Sequence, residues 1–314
     1  MKKIFSIVLP IYKNELNLPV TIPYIIGHLD LFPDYEVEVI MVNDGSPDHS
    51  YTEMKKYQQQ YPDLIRIASF TRNCGQRAAV NYGMKMAKGD VVGVISADLQ
   101  DPLELFPEML KKWEQGTALV YGEREARAEK GLGAACSNLM HRMIQKHINP
   151  DYPKGGFDFF VADRQLCDAF IEHDTKNNSM QLLLLSLASS HASILYTRRK
   201  RTEGKSGWNL ARKIDQAMNI FVTYTDYLIR VVGKIGAWQL GIGCLILIVG
   251  IILAIVWKQL SFLALAGAGL GLMLAGEILL VLFMIGEYNY KNQESAKPMP
   301  RYIIQEQIEK DTSL

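Results

Sequence analysis

The sequence predicts an α/β protein built on a mainly parallel sheet, followed by a C-terminal pair of apolar helices. Three observations carry this. Short apolar runs alternate with helical stretches through the first 125 residues, the rhythm of βαβ units. The runs are almost continuously hydrophobic, as strands covered on both faces are, and each ends abruptly in polar side chains. Beyond residue 235 the chain turns strongly apolar in two stretches, Leu240–Trp257 and Phe262–Ile285, each long enough to cross about 30 Å of hydrocarbon.

Met1-Lys2-Lys3 followed by Ile4–Leu9 imitates a secretory signal. The apolar run is too short and is followed by Pro10 and charged residues, so it is read as the first strand. Further strands are expected at Val37–Asn43, Ile65–Phe70, Val91–Ser96 and Ala118–Gly122, with helices near Leu18–Leu29, Ser50–Tyr61, Gln76–Ala87 and Glu104–Gln115. Polar groups gather after each strand: Tyr12, Asn14 and Glu15; then Asn43, Asp44, Gly45 and Ser46; then Arg72, Asn73 and Gly75. Asp44-Gly45-Ser46 taken alone reads as a turn. Three such strand ends together read as a site. No GxGxxG follows the first strand and no GxxxxGK[ST] occurs, which disfavours a dinucleotide-binding or P-loop site.

The most informative stretch is Val91-Val92-Gly93-Val94-Ile95-Ser96-Ala97-Asp98-Leu99-Gln100-Asp101-Pro102, an apolar strand that ends in carboxylates and a carboxamide. Ligands of open α/β sheets gather at the carboxyl ends of strands. Hard oxygen donors there suit Mg²⁺ or Mn²⁺, often shared with substrate phosphates. Asp98, helped by Gln100, is therefore read as the anchor of a metal–diphosphate site. Asp101 has two readings, as a ligand or as the N-cap of a helix starting Asp101-Pro102-x-Glu104. Asp158 lies among aromatics in Gly155-Gly156-Phe157-Asp158-Phe159-Phe160, either for chemistry or as a buried hydrogen-bonded carboxylate. Seven basic residues and one acid occupy 198–213. They form a phosphate cradle or a membrane-facing basic surface.

Ala134–Ile148 is expected to be an amphipathic helix, and residues 209–232 a longer one that lies in a membrane interface or packs in a core. Only Lys258-Gln259-Leu260-Ser261 separates the two apolar stretches, so they are expected to form a tight transmembrane hairpin. Basic residues flank the pair on both outer sides, which places both termini in the cytoplasm. Gly267 and Gly271 make a GxxxG pair that permits close helix approach and self-association. Glu277 within the second stretch is a functional candidate, read here instead as a helix–helix hydrogen-bonding group or a neutral Glu. Net charge is +1, so no global field argues for nucleic acid. The four cysteines show no metal spacing and are expected to be free thiols.

These residues resemble family 2 glycosyltransferases, specifically the polyisoprenyl-phosphate glycosyltransferases. The resemblance rests on Pro10-x-Tyr12-x-Asn14-Glu15, Val42-Asn43-Asp44-Gly45-Ser46, Asn73-x-Gly75, Ala97-Asp98-Leu99-Gln100-Asp101-Pro102, Tyr196-x-Arg198-x-x-Arg201-x-x-Gly204-x-Ser206-x-Trp208, and Gly286-Glu287-Tyr288 with Arg301-Tyr302-Ile303-Ile304. It implies a GT-A domain over 1–208, juxtamembrane helices over 209–235, a transmembrane hairpin over 236–287 and a cytoplasmic tail over 288–314. It further implies a nucleotide-sugar donor (UDP-sugar favoured), Mg²⁺ or Mn²⁺ on Asp98 and Gln100, and inversion at the anomeric carbon. The acceptor it implies is a polyprenyl phosphate, such as undecaprenyl phosphate, at the bacterial inner membrane. Pro10, Tyr12, Glu15, Asp44, Asn73, Gln76 and Ala97 would hold the donor. Arg124, Ser137, Arg198, Arg201 and Lys205 would hold the acceptor phosphate, with Asp98, Asp101 and Asp158 as catalytic groups. Three departures stand out: Ser96 replaces one carboxylate of the usual Asp-x-Asp, Gly207 follows Ser206 where Lys is usual, and Tyr290-Lys291 replaces Gly-Arg. Transfer to a lipid hydroxyl and a non-catalytic binding role are the alternatives. A processive synthase lacks its Gln-x-x-Arg-Trp here.

Overall fold

The computed structural model describes residues 2–125, 132–175, 179–198, 261–296 and 302–308, with isolated positions between 224 and 257. The chain divides into two compact units, one of residues 1–208 with 298–314 and one of residues 209–297.

The first unit carries eight described strands: β1 (Lys3–Ile11), β2 (Tyr35–Asn43), β3 (Ile65–Phe70), β4 (Val91–Val94), β5 (Leu119–Arg124), β6 (Phe160–Asp163), β7 (His191–Tyr196) and β8 (Ile304–Ile308). They form one sheet in the order β7-β5-β6-β4-β1-β2-β3-β8. β1 pairs in parallel with β2 and β4, β2 with β3, and β5 with β7. β6 runs antiparallel between β4 and β5, and β8 runs antiparallel along β3.

Side chains alternate across the sheet, and each face buries its own cluster. Ile7, Leu9, Val39, Met41 and Ile67 pack on one face with helices α1 (Leu18–Gly27), α2 (Ser50–Gln60) and α4 (Phe106–Glu114). Val8, Ile40, Val42, Ala68, Val92 and Val94 pack on the other with α3 (Gln76–Met86), α6 (Arg164–His173) and α7 (Met180–Leu187). This double coverage is why the strands read as unbroken apolar runs rather than alternating ones. Helix α5 (Leu132–His147) follows β5.

Several expected elements shift. β4 stops at Val94, because the backbone must turn to bring the following acidic residues to the sheet edge. The helix expected from Glu104 begins at Phe106, after a 3₁₀ turn over Leu103–Leu105. Asp101 does not cap it; its carboxylate is taken by other side chains, described below. Part of the expected C-terminal tail, Ile304–Ile308, joins the sheet as β8. Tyr302 stacks on Phe70 with ring centroids 4.8 Å apart, and Thr71 N donates to Ile303 O at 3.0 Å. Lys55 pairs with Glu306 at 2.7 Å.

In the second unit, residues 262–285 lie within a single 36-residue helix, α8 (Ser261–Ala296), which runs on into the polar stretch 289–294. Among the described residues no helix is long and apolar enough to cross a membrane, so the expected hairpin gains no support here. Most of its first arm, 240–257, and most of 209–235 lie outside the described residues. Several described apolar side chains of this unit, Ile255, Trp257 and Phe283 among them, are nonetheless exposed.

Close helix–sheet contact at Gly83 sets the separation of α3 from the sheet. A Cβ there would fall 2.3 Å from Val8 Cγ1. Gly83→Ala is expected to destabilise the domain by about 1–3 kcal/mol, the usual cost of overpacking a core, read as a lowered urea midpoint at unchanged m-value.

Candidate active site

The carboxyl ends of the parallel strands β1–β5 and β7 and the start of the antiparallel β6 lie along one edge of the sheet. The polar residues singled out in sequence arrive at this edge because topology places them there. They fall into two groups.

The first group is built from the loops after β1, β2 and β3. Asp44 is almost wholly buried, and its two oxygens accept from Cys74 N at 2.6 Å and Gly75 N at 2.9 Å. It thus holds the loop that opens α3, at the helix end that favours negative charge. Burial raises its pKa above 3.8, and the two backbone donors offset part of that rise. Gly45, at φ +61°, lies so close to this loop that a Cβ would sit 2.3 Å from the Arg72 carbonyl carbon. Asn43 Oδ1 accepts from Ser46 N at 3.1 Å, and Lys13 N donates to Ser46 Oγ at 3.1 Å. Glu15 Oε2 accepts from His49 N at 2.9 Å at the start of α2. Tyr12, Asn73 and Gln76 are exposed at the rim. Pro10 lies within β1, paired with Val42.

The second group is one connected hydrogen-bond network. Ser96 Oγ lies 2.8 Å from Asp98 Oδ1 and 2.7 Å from Asp101 Oδ2. Asp101 is fully buried, and its other oxygen accepts from the Tyr196 hydroxyl at 2.6 Å. Arg124 Nε donates to the same hydroxyl at 3.4 Å, and its Nη2 donates to Asp158 Oδ2 at 3.1 Å. Gln181 Nε2 donates to Asp158 Oδ1 at 3.3 Å. Arg198 Nε lies 3.6 Å from Asp101 Oδ1, beyond direct bonding, and is buried without a hydrogen-bond partner. Asp98, Asp101, Arg124, Asp158 and Arg198 are thereby brought together from four strand ends.

Local structure sets each of these up. Leu99 takes φ +53°, a left-handed conformation costing about 1–2 kcal/mol for a side-chain-bearing residue, and so turns the chain between Asp98 and Gln100. Gln100 N donates to Asp98 Oδ1 at 3.2 Å. Ala97 is packed in the core, and its carbonyl accepts from Thr21 Oγ1 at 2.8 Å, tying the acidic loop to α1. Gly122 makes room for Tyr196: a Cβ would come within 2.8 Å of the Tyr196 and Phe159 rings. Burial and the Asp101 carboxylate raise the Tyr196 phenol well above its usual range, so it stays protonated and donates. Burial opposes the charge of Arg124, but the Tyr196 hydroxyl, Asp158 and Asp101 outweigh it and hold the guanidinium pKa above its usual value.

Sequence reading missed Ser96, Tyr196 and Gln181 as working parts. Tyr196 stood inside a quoted motif, but nothing in spacing alone showed that its hydroxyl meets Asp101. Ser137 lies on α5, while Arg201 and Lys205 lie outside the described residues.

The donor set around Asp98 is all oxygen: the carboxylates of Asp98 and Asp101 share one serine hydroxyl. Carboxylate and hydroxyl oxygens are the ligands that hard divalent cations prefer. The residues therefore fit Mg²⁺ or Mn²⁺. Among the described residues no cluster of three or more His, Cys, Asp or Glu side chains forms a metal cage.

An α/β sheet with acidic and basic side chains massed at its carboxyl edge is the setting of this candidate site. The chain belongs to Glycosyl transferase family 2, whose sequence model matches residues 6–167, and it is a glycosyltransferase. An uncharacterised glycosyltransferase of Bacillus subtilis is 29% identical over 96% of this chain and 93% of its own. A bactoprenol glucosyl transferase of Shigella phage SfV is 26% identical over 97% and 99%. Glucosyl-3-phosphoglycerate synthase of Mycobacterium tuberculosis, a solved structure, aligns at 18% identity and TM-score 0.48 over 70% of this chain and 77% of that one.

The raised pKa of Asp44 makes a pH-dependent contribution to stability. Below pH 3.8 the group is protonated in both states. As pH rises, the unfolded chain ionises first, so stability is lost until pH passes the native pKa. Asp44→Asn is expected to remove this slope: wild-type minus variant unfolding free energy falls as pH rises above 3.8 and then levels off, measured by urea unfolding at stepped pH.

Proposed function

We propose that the protein transfers a hexose from a nucleotide-sugar, a UDP-sugar by preference, to a polyprenyl phosphate, with inversion at the anomeric carbon. The single observation that carries this is the network that sets the acidic group of Asp98 and Asp101 beside Arg124 and Arg198. It pairs a cation-compatible end with an anion-compatible end on one sheet edge. The similarity to bactoprenol glucosyl transferases over nearly the whole chain supports the acceptor class.

In this reading the loops held by Asp44 and Glu15, with Tyr12, Asn73, Gln76, Pro10 and Ala97, form the donor side. Asp98 and Gln100 would hold Mg²⁺ or Mn²⁺, which when bound supplies Lewis-acid neutralisation of the leaving diphosphate. Arg124 and Arg198, with Arg201, Lys205 and Ser137, orient the acceptor phosphate. An acceptor phosphate oxygen attacks the anomeric carbon, the bond from that carbon to the diphosphate oxygen breaks, and the electron pair leaves with the nucleoside diphosphate. A phosphate monoester has its second pKa near 6, so the nucleophile is already ionised at neutral pH. No strong base is needed, and positioning provides most of the rate. Asp158, tied to Arg124 and Gln181, orients that arginine. Asp101, already accepting from Tyr196 and Ser96, organises the cluster.

The exposed apolar side chains at Ile255, Trp257 and Phe283, together with the two long apolar stretches of sequence, support membrane attachment of residues 209–297. The acceptor lipid lies in the same phase. The proposed location is the bacterial inner membrane with both termini cytoplasmic.

The deciding assay offers UDP- and GDP-sugars with undecaprenyl phosphate in detergent, with Mn²⁺, Mg²⁺ or EDTA. A metal-dependent, acid-labile glycolipid from one donor is expected; donor binding with no lipid product would transfer the protein to the binding-role alternative. Asp98→Ala is expected to lower turnover by at least 10²–10³-fold, the scale of losing a principal electrostatic group, with retained thermal stability. Arg201→Ala is expected to raise the acceptor KM more than the donor KM, and equal rises would move Arg201 to the donor side.

A further inference from the structure

We propose that Tyr196 is a positioning residue that keeps Arg198 available for the acceptor phosphate, by supplying the buried Asp101 carboxylate with the hydrogen bond that Arg198 would otherwise give. The inference rests on the reading of Arg198 as an acceptor-phosphate group.

The geometry is specific. Asp101 has no exposed surface, so each of its oxygens requires a donor. Oδ2 faces Ser96 at 2.7 Å and Oδ1 faces the Tyr196 hydroxyl at 2.6 Å. Arg198 Nε approaches the same Oδ1 but stops at 3.6 Å, and that nitrogen is buried with no hydrogen-bond partner. Oδ1 already has a close donor on the side from which Arg198 Nε approaches. That donor is the tyrosine hydroxyl. Its ring cannot swing away: it packs edge-on against Phe159, with centroids 5.8 Å apart, over the bare backbone of Gly122. Tyrosine is the side chain suited to this task. It donates one hydrogen bond without adding positive charge, so Oδ1 is satisfied without a direct hydrogen bond from either arginine; Arg198 stays at ion-pair distance and Arg124 pairs with Asp158. The tyrosine oxygen accepts from Arg124, at 3.4 Å, so both cations are held in place without being consumed by Asp101.

Loss of the hydroxyl would leave Oδ1 without its donor. Arg198 would close from 3.6 Å to the ~2.9 Å of a direct bond and withdraw from the phosphate site. The defect should therefore fall on the acceptor and spare the donor, and it should vanish when Arg198 is already absent.

The test is steady-state kinetics of Tyr196→Phe, Arg198→Gln and the double variant, with undecaprenyl phosphate in detergent and the UDP-sugar that the donor panel selects. Tyr196→Phe deletes one oxygen and keeps the packed ring. Gly122→Ala, whose Cβ would press within 2.8 Å of that ring, is the second route to the same displacement. The expected result is an acceptor KM raised about tenfold in Tyr196→Phe, the scale of one lost charge-assisted contact, with donor KM within about twofold. Gly122→Ala should show the same selective pattern, and the double variant should match Arg198→Gln alone. Multiplying effects in the double variant, or a donor KM that rises as much as the acceptor KM, would overturn the role of Tyr196 and leave the acceptor site standing. An unchanged acceptor KM in Arg198→Gln would overturn the acceptor-phosphate reading and the proposal with it.

Discussion

A carboxylate with no access to water is the constraint around which the candidate-site edge is arranged. Asp101 is fully buried, and an unpartnered carboxylate in that position would cost several kcal/mol. Its needs dictate what surrounds it. Ser96 arrives from the chain just after β4, Tyr196 from the end of β7, and Gly122 on β5 must lack a side chain for the tyrosine ring to fit. Three strand ends are thereby locked in register at the edge where substrates would enter. The pairing of β5 with β7, Arg124 opposite Tyr196, places the arginine beside the hydroxyl for the same reason.

Ser96 gives this chain its particular acidic cluster. A second carboxylate at that position would crowd three negative charges into one small volume. A hydroxyl instead donates one proton between Asp98 and Asp101. The left-handed turn at Leu99 is stored strain whose effect is to curl the Asp98–Gln100 backbone back on itself, with Gln100 N on Asp98. The two halves of the site thus differ in construction. The half built on Asp44 and Glu15 spends its carboxylates on backbone N–H groups and so shapes loops. In the other half, Asp101 spends both its oxygens on side chains and so places charge.

The C-terminal strand belongs to the first unit's own sheet. β8 lies along β3, and Tyr302 stacks on Phe70 immediately before the Thr71–Gly75 loop that Asp44 grips. Residues that follow the apolar unit in sequence therefore brace the loop that Asp44 holds.

Local sequence signals determined a good deal by themselves. Unbroken apolar runs such as Ile65–Phe70 and helical periodicity such as Gln76–Ala87 marked strands and helices to within a residue or two, since both patterns follow from burial on a two-sided sheet. The polar ends of those runs marked the candidate site, because strand ends converge on one edge in any parallel sheet. Only tertiary structure decided the rest. Short strands in irregular surroundings, β6, β7 and β8, carry too little periodicity to stand out, and antiparallel insertion at β6 depends on partners far away in the chain. Asp101 could cap a helix or join the cluster on sequence grounds alone. The choice fell to Tyr196, ninety-five residues on, whose hydroxyl reaches it only after β7 has paired with β5. Chain composition could supply a tyrosine, a serine and two aspartates; their meeting around one buried carboxylate is a property of the fold.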